Sequence, residues 1–207
     1  MIFPRASVYA ITQTEHKSAE QVIFEVEAAI KGGIAVLQYR NKQTENHLYL
    51  AGALKELCVQ ANVMFIINDS ATLAKQVGAE GVHIGKGDGR LDYARSILGK
   101  QAIIGVSCYN SVELACEAEK GSADYVAFGR FFPSASKPLA ALADIETLTQ
   151  AKKLLTIPIV AIGGILPSNG KVLLNAGADS LAVIGGIFDK NPYQAAGEYQ
   201  LLFGNNT

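Results

Sequence analysis

KGGIAVLQYRNK, Lys31–Lys42, contains the unit from which the rest of the chain can be read. Its two glycines stop whatever precedes them, because a residue without Cβ enters the left-handed backbone that ends helices. The apolar run that follows does not alternate, as expected for a parallel strand covered on both faces. It closes on Gln38, Arg40 and Lys42, which share one direction because an extended chain repeats every second residue.

The same kind of run recurs on either side: VYAIT from Val8, MFIIN from Met64, GVHIG from Gly81, AIIGVS from Ala102, DYVAFG from Asp124, IPIVAIGG from Ile157 and SLAVIGG from Ser180. Helical stretches separate these runs. Ser18 with Gln21 forms a capping-box pattern before VIFEVEAAI, which Gly32 and Gly33 end, and Asn110 with Glu113 repeats the start signal. A glycine-marked helix end directly before a strand recurs at Gly32, Gly78, Gly121 and Gly177, spaced as pairs of strand–helix units of roughly 20 to 30 residues each and so marking the even-numbered strands.

Eight strand–helix units point to a single-domain α/β (β/α)8 TIM barrel spanning 1–207, with its active site at the C-terminal ends of the strands. The length is below the ~250 residues typical of that fold but within its range. An open doubly wound sheet would carry a glycine-rich fingerprint after the first strand, and the segment from Ile11, ITQTEHKS, has none.

Composition narrows the function. Hydrophobic residues make up 49% of the chain, so it can bury a substantial core, and 18 Lys+Arg against 19 Asp+Glu leaves no positive excess for a nucleic-acid backbone. There is neither a signal-peptide apolar core nor the roughly 18-residue apolar window of a membrane helix. The three cysteines, Cys58, Cys108 and Cys116, have no metal or redox spacing and fit a reducing compartment. The expectation is a cytoplasmic, soluble protein acting on small molecules, with room for a homo-oligomer.

Polar residues gather where this fold places catalysis. Gln38, Arg40 and Lys42 would form an anion site, unless their charges only reach solvent. Asn68 and Asp69 end the third strand and Asp88 follows the fourth; Asp69 and Asp88 could share a Mg²⁺ ion with substrate phosphate, while the alternatives are a helix N-cap for Asp69 and a turn in KGDG for Asp88. Ser107 ends the fifth strand, and Ser134, Ser136 and Lys137 follow the sixth. Gly163-Gly164 and Gly185-Gly186, after the last two strands, match the usual phosphate-binding position of these barrels, or simply end strands. Two anion sites, one with carboxylates, imply two phosphorylated substrates and a transfer in which diphosphate leaves. His83 reads as a hydrogen-bonded core residue and Cys108 as packing.

These residues make the chain similar to the thiamine-phosphate synthase family over nearly its whole length. The resemblance lies in Gln38-Tyr39-Arg40-Asn41-Lys42, Ile67-Asn68-Asp69, GVHIG followed by Asp88, GVS at Gly105 to Ser107, ADYVAFGRFFP with its S-x-S-K, and VAIGGI. It implies that Arg40, Lys42, Asn68 and Lys137 hold the diphosphate of an aminomethylpyrimidine diphosphate, with Mg²⁺ on Asp69 and Asp88. Gln38 and Ser107 would orient the pyrimidine, while Ser134, Ser136, Gly164, Ile184 and Gly185 would hold a thiazole phosphate. The implied chemistry is dissociative: diphosphate departs and the thiazole nitrogen attacks the pyrimidine-methyl cation.

The chain departs from that pattern at three places. Ser134-Ala135-Ser136-Lys137 replaces Thr-x-Thr-Lys, Gly85-Lys86-Gly87-Asp88 replaces a Gly-Gln before an acidic pair, and Gly185 stands where the family often has Ser. A related thiazole tautomerase carries His two residues after the strand-five serine, where this chain has Tyr109. A non-catalytic phosphate-binding regulatory barrel is a further alternative.

Overall fold

The computed structural model describes residues 2–41, 47–85, 90–133 and 141–204. Strands β1 (Ser7–Ile11), β2 (Val36–Tyr39), β3 (Met64–Asn68), β4 (Gly81–Ile84), β5 (Ile103–Tyr109), β6 (Tyr125–Phe128), β7 (Ile159–Ile162) and β8 (Ser180–Val183) pair in sequence order, all parallel, and β8 closes on β1. The expected TIM barrel is the fold, and every one of the apolar runs supplies a strand.

The helices between the strands are α1 (Ala19–Lys31), α2 (His47–Gln60), α3 (Ala71–Val77), α4 (Leu91–Leu98), α5 (Val112–Lys120), α6 (Ile145–Leu154) and α7 (Pro167–Asn175). After β8 come a short helix, α8 (Gly185–Phe188), and then α9 (Pro192–Gln200). Ser18 caps α1 by accepting from Gln21 N, as the sequence predicts, whereas the Gln21 side chain reaches forward to Glu25. The expected start at Asn110 is one residue early. Ser111 caps α5, and the Asn110 side chain accepts from Asp144 N and Thr147 Oγ1 at the start of α6. No helix among the described residues is long and apolar enough to cross a membrane.

Both faces of the strands are buried, in two separate cores. Val22, Val26 and Ala29 of α1, Leu37, Phe65 and Ile104 all belong to the continuous apolar layer between strands and helices. Tyr9, Val36, Ile66, Ile103 and Tyr125 fill the barrel interior, and Phe3 plugs it with its ring 4.0 Å from that of Tyr125.

The glycine-marked helix ends do precede the even strands, and each is followed by the same tie. The residue just before the even strand donates its backbone N–H to the preceding odd strand: Ala35 to Val8, Glu80 to Phe65, Asp124 to Ile104 and Asp179 to Ile159. In three of the four, the carboxylate also accepts the N–H of that same odd-strand residue, at 2.8 to 3.0 Å. Each acid has a basic partner: Lys55 for Glu80, Arg95 for Asp124, and both Arg5 and Lys152 for Asp179. These pairs lie at the N-terminal ends of the strands, the face where this fold places stability and not chemistry.

Candidate active site

At the opposite, C-terminal mouth the barrel opens into a cleft of about 140 Å³. Gln38 and Arg40 both reach it, as the two-residue repeat of an extended segment requires. Thr12, just beyond β1, fixes the turn: its hydroxyl donates to Arg40 O at 2.9 Å and accepts from Arg40 N at 2.8 Å. The guanidinium is thereby projected from a backbone anchored on both sides.

Asn68, Ser107 and Ile184 line the same cleft, so five of the expected residues converge. Asp69 is the next residue out, exposed, with φ +66° and its carboxylate accepting from Asn68 Nδ2. It does not cap α3, since Ser70 takes that position by accepting from Leu73 N. A carboxylate held at the rim, in left-handed backbone that only a few residue types tolerate, is a suitable hard-oxygen donor for a Mg²⁺ ion shared with substrate phosphate. Lys42, Asp88, Ser134, Ser136 and Lys137 lie outside the described residues.

The glycines have partly structural explanations. A Cβ on Gly163 would strike Arg130, and one on Gly164 the backbone carbonyls of Phe132 and Pro133, so the segment after β6 can pass closely over β7 only because both are glycine. Phe132 N donates to Gly163 O at 3.0 Å along that contact. Gly163 also lines the cleft. Gly185 opens α8, so its N–H belongs to the first turn and has no partner within that helix.

The sequence does not single out Tyr9, Tyr125 or Arg130, which lie in or beside the cleft, and it gives no cleft role to His83 or Tyr109, which line it. Arg130 adds a second cation to the lining, and its position directly after a strand was the available signal. His83 is the buried, hydrogen-bonded residue the sequence suggests, yet it also faces the cleft, with Nδ1 3.0 Å from Tyr125 Oη and Nε2 2.9 Å from Ser107 Oγ. Burial pushes the Tyr9 and Tyr125 phenols well above their ordinary range, so both keep their protons. Cys108 is fully buried in the outer core, and desolvation pushes its thiol up to about 12, so it stays protonated at neutral pH and packs as the sequence suggests.

Residues 8–187 match the family model described as thiamine monophosphate synthase. The chain belongs to that family. A thiamine-phosphate synthase of Thiobacillus denitrificans is 45% identical over 205 residues, covering 97% of this chain and 96% of its own. That of Saccharophagus degradans is 50% identical over 194 residues, covering 91% and 89%. The solved thiamine phosphate pyrophosphorylase from Pyrococcus furiosus superposes with a TM-score of 0.86 at 31% identity, covering 96% of this chain and 95% of that one. Membership of the thiamine monophosphate synthase family makes the chain an enzyme of thiamine biosynthesis, a transferase. Orotidine 5'-phosphate decarboxylase from Pyrococcus horikoshii, at 17% identity and a TM-score of 0.69, shares the fold alone.

Proposed function

We propose that this thiamine-phosphate synthase joins 4-amino-2-methyl-5-(diphosphooxymethyl)pyrimidine to thiazole phosphate, releasing diphosphate, with Mg²⁺ as cofactor. The observation that carries the reading is the convergence of Arg40, Asn68, Gln38 and Ser107 on one cleft of a family member. Arg40 would take the diphosphate through its planar fork, with Asn68 donating beside it. Lys42 and Lys137 complete the basic set in the sequence, and Ser134, Ser136, Gly164, Ile184 and Gly185 are assigned to the thiazole phosphate.

The reaction breaks one C–O bond, whose electron pair leaves with diphosphate, and forms one C–N bond from the thiazole nitrogen lone pair. The residues therefore have two tasks: to stabilise charge on the departing diphosphate and to hold the two reactants in line. Neither requires a protein nucleophile, consistent with the inert Cys108 thiol. Mg²⁺, when bound, supplies charge neutralisation on the diphosphate oxygens, and Asp69 and Asp88 are the carboxylates assigned to hold it.

The test is purified protein with both substrates, with and without Mg²⁺, followed for thiamine phosphate and diphosphate. Equimolar, Mg²⁺-dependent release of both is expected. Saturable binding without product would favour a tautomerase or regulatory role and direct attention to Tyr109 and Lys86.

A further inference from the structure

Five polar side chains cross the barrel interior in one unbroken line. Gln38 Nε2 donates to Tyr9 Oη at 2.8 Å; Tyr9 Oη and Tyr125 Oη are 2.8 Å apart; Tyr125 Oη is 3.0 Å from His83 Nδ1; and His83 Nε2 is 2.9 Å from Ser107 Oγ. The ends of the line, on β2 and β5, both line the cleft, while Tyr9 and Tyr125 are essentially without solvent contact.

Counting protons gives the line a direction. A phenol has one proton to donate. Tyr9 accepts from the Gln38 amide, so its own proton goes to Tyr125 Oη. Tyr125 in turn donates to His83 Nδ1, which must then be bare. A neutral imidazole with a bare Nδ1 carries its proton on Nε2 and donates it to Ser107 Oγ. Ser107, already accepting, turns its hydroxyl proton towards the cleft. At the other end, Gln38 spends one of its two Nε2 protons on Tyr9, which turns Oε1, its acceptor, to the side away from Tyr9 and towards a ligand.

The geometry points to Tyr9, Tyr125 and His83 as positioning residues that form a one-way hydrogen-bond relay, coupling Gln38 and Ser107 so that one presents an acceptor to the substrate heterocycle whenever the other presents a donor. With the direction given above, Gln38 accepts and Ser107 donates. A 4-aminopyrimidine complements this pair, offering amino N–H groups and an unprotonated ring nitrogen. The 4-oxo analogue offers a carbonyl and a ring N–H, which inverts the pattern and would require all five groups to reverse together. A site whose buried polar groups are left unpaired by the wrong substrate discriminates strongly. The identity of the heterocycle rests on the proposed pyrimidine transfer; the relay itself does not.

The experiment uses the full chain labelled with [15N]histidine, with the His83 resonances assigned by their loss in His83→Gln. In the ligand-free protein at neutral pH, a proton on Nε2 and a bare Nδ1 are expected. A proton on Nδ1, alone or with Nε2, would overturn the direction of the relay. This readout needs no variant to fold beyond the assignment control, and it is independent of turnover, so it fails separately from the proposed function. Tyr125→Phe removes the donor to Nδ1 and disconnects the two ends. It should abolish the tautomer preference and lower the preference for the 4-amino over the 4-oxo pyrimidine diphosphate, measured by competition binding, at least tenfold. Unchanged discrimination in a variant that retains its cooperative unfolding would overturn the coupling. Ser107→Ala, which leaves the relay intact up to His83, should keep the Nε2–H tautomer; its loss there would also count against the assignment.

Discussion

Gly105→Ala is the substitution whose outcome the packing fixes most closely. A methyl group built on Gly105 would lie 2.0 Å from Tyr125 Cζ and 2.4 Å from its Oη, far inside van der Waals contact. Tyr125 cannot move aside without cost. Its other neighbours include the Phe3 ring at 4.0 Å and the His83 ring at 5.5 Å, and its hydroxyl is tied to Tyr9 and His83. Overpacking a close-packed core costs ~1–3 kcal/mol, and two displaced buried hydrogen bonds add about 1 kcal/mol each. A loss of about 3–5 kcal/mol follows, which at roughly 2–4 °C per kcal/mol for a chain of this size lowers Tm by about 6–20 °C. Differential scanning calorimetry of the two proteins, with a reversibility check on rescanning, reads this directly. A Tm within about 2 °C of the parent would refute the reasoning, because Tyr125 would then not be wedged between β5 and Phe3. The partner variant Tyr125→Leu supplies the cycle: the double variant should lose distinctly less than the sum of the two single losses.

Arg40→Ala should weaken the pyrimidine diphosphate about 10- to 150-fold, the range for one charge-assisted contact of ~1.5–3 kcal/mol, and leave thiazole phosphate nearly unchanged in calorimetric titrations; equal losses would remove Arg40 from the diphosphate site. Asp69→Asn should raise the Mg²⁺ concentration giving half-maximal rate, with partial recovery at high Mg²⁺, and an unaltered Mg²⁺ dependence would take Asp69 out of the metal set. Burial disfavours the charged thiolate and pushes Cys58 and Cys108 up to about 12, so at pH 8 only about one thiol in ten thousand is ionised at each. Both should resist iodoacetamide until the chain is unfolded, as read by mass spectrometry of the alkylated peptides, and rapid labelling of either in the native protein would contradict its placement.

The barrel was legible because its strands announce themselves twice, once as unbroken apolar runs and again by the polar residues that end them, such as Gln38 and Arg40 after IAVL. What the apolar runs hide is which face of a strand looks inward. With both faces buried, Tyr9 and Tyr125 read as more apolar filling, and only the closed barrel brings their hydroxyls to 2.8 Å across its width. His83 was rightly seen as a satisfied buried residue; that its partner is Ser107, from the neighbouring strand, follows from the β4–β5 register and not from local sequence. The helix start near Asn110 shows a smaller ambiguity: Asn and Ser are equally good caps, and Asn110 was drawn off by α6, more than thirty residues downstream.

The carboxylate ties at the N-terminal face have a consequence for dissecting the chain. Each of Glu80, Asp124 and Asp179 binds an even strand to the odd strand just before it, so the carboxylate-to-amide ties close within the pairs β3–β4, β5–β6 and β7–β8, and the Asp179–Arg5 ion pair is what reaches from the last pair to the start of β1. The β1–β2 pair has Ala35 at the equivalent position and only the backbone bond to Val8. Cutting the backbone within α4 or α6 would give fragments that each keep their acid and its amide together, whereas a cut within α3, α5 or α7 would put them on different pieces. Reassembly from two halves should therefore succeed at the first kind of break and fail at the second, as though the barrel were four staves, three of them fastened at the base.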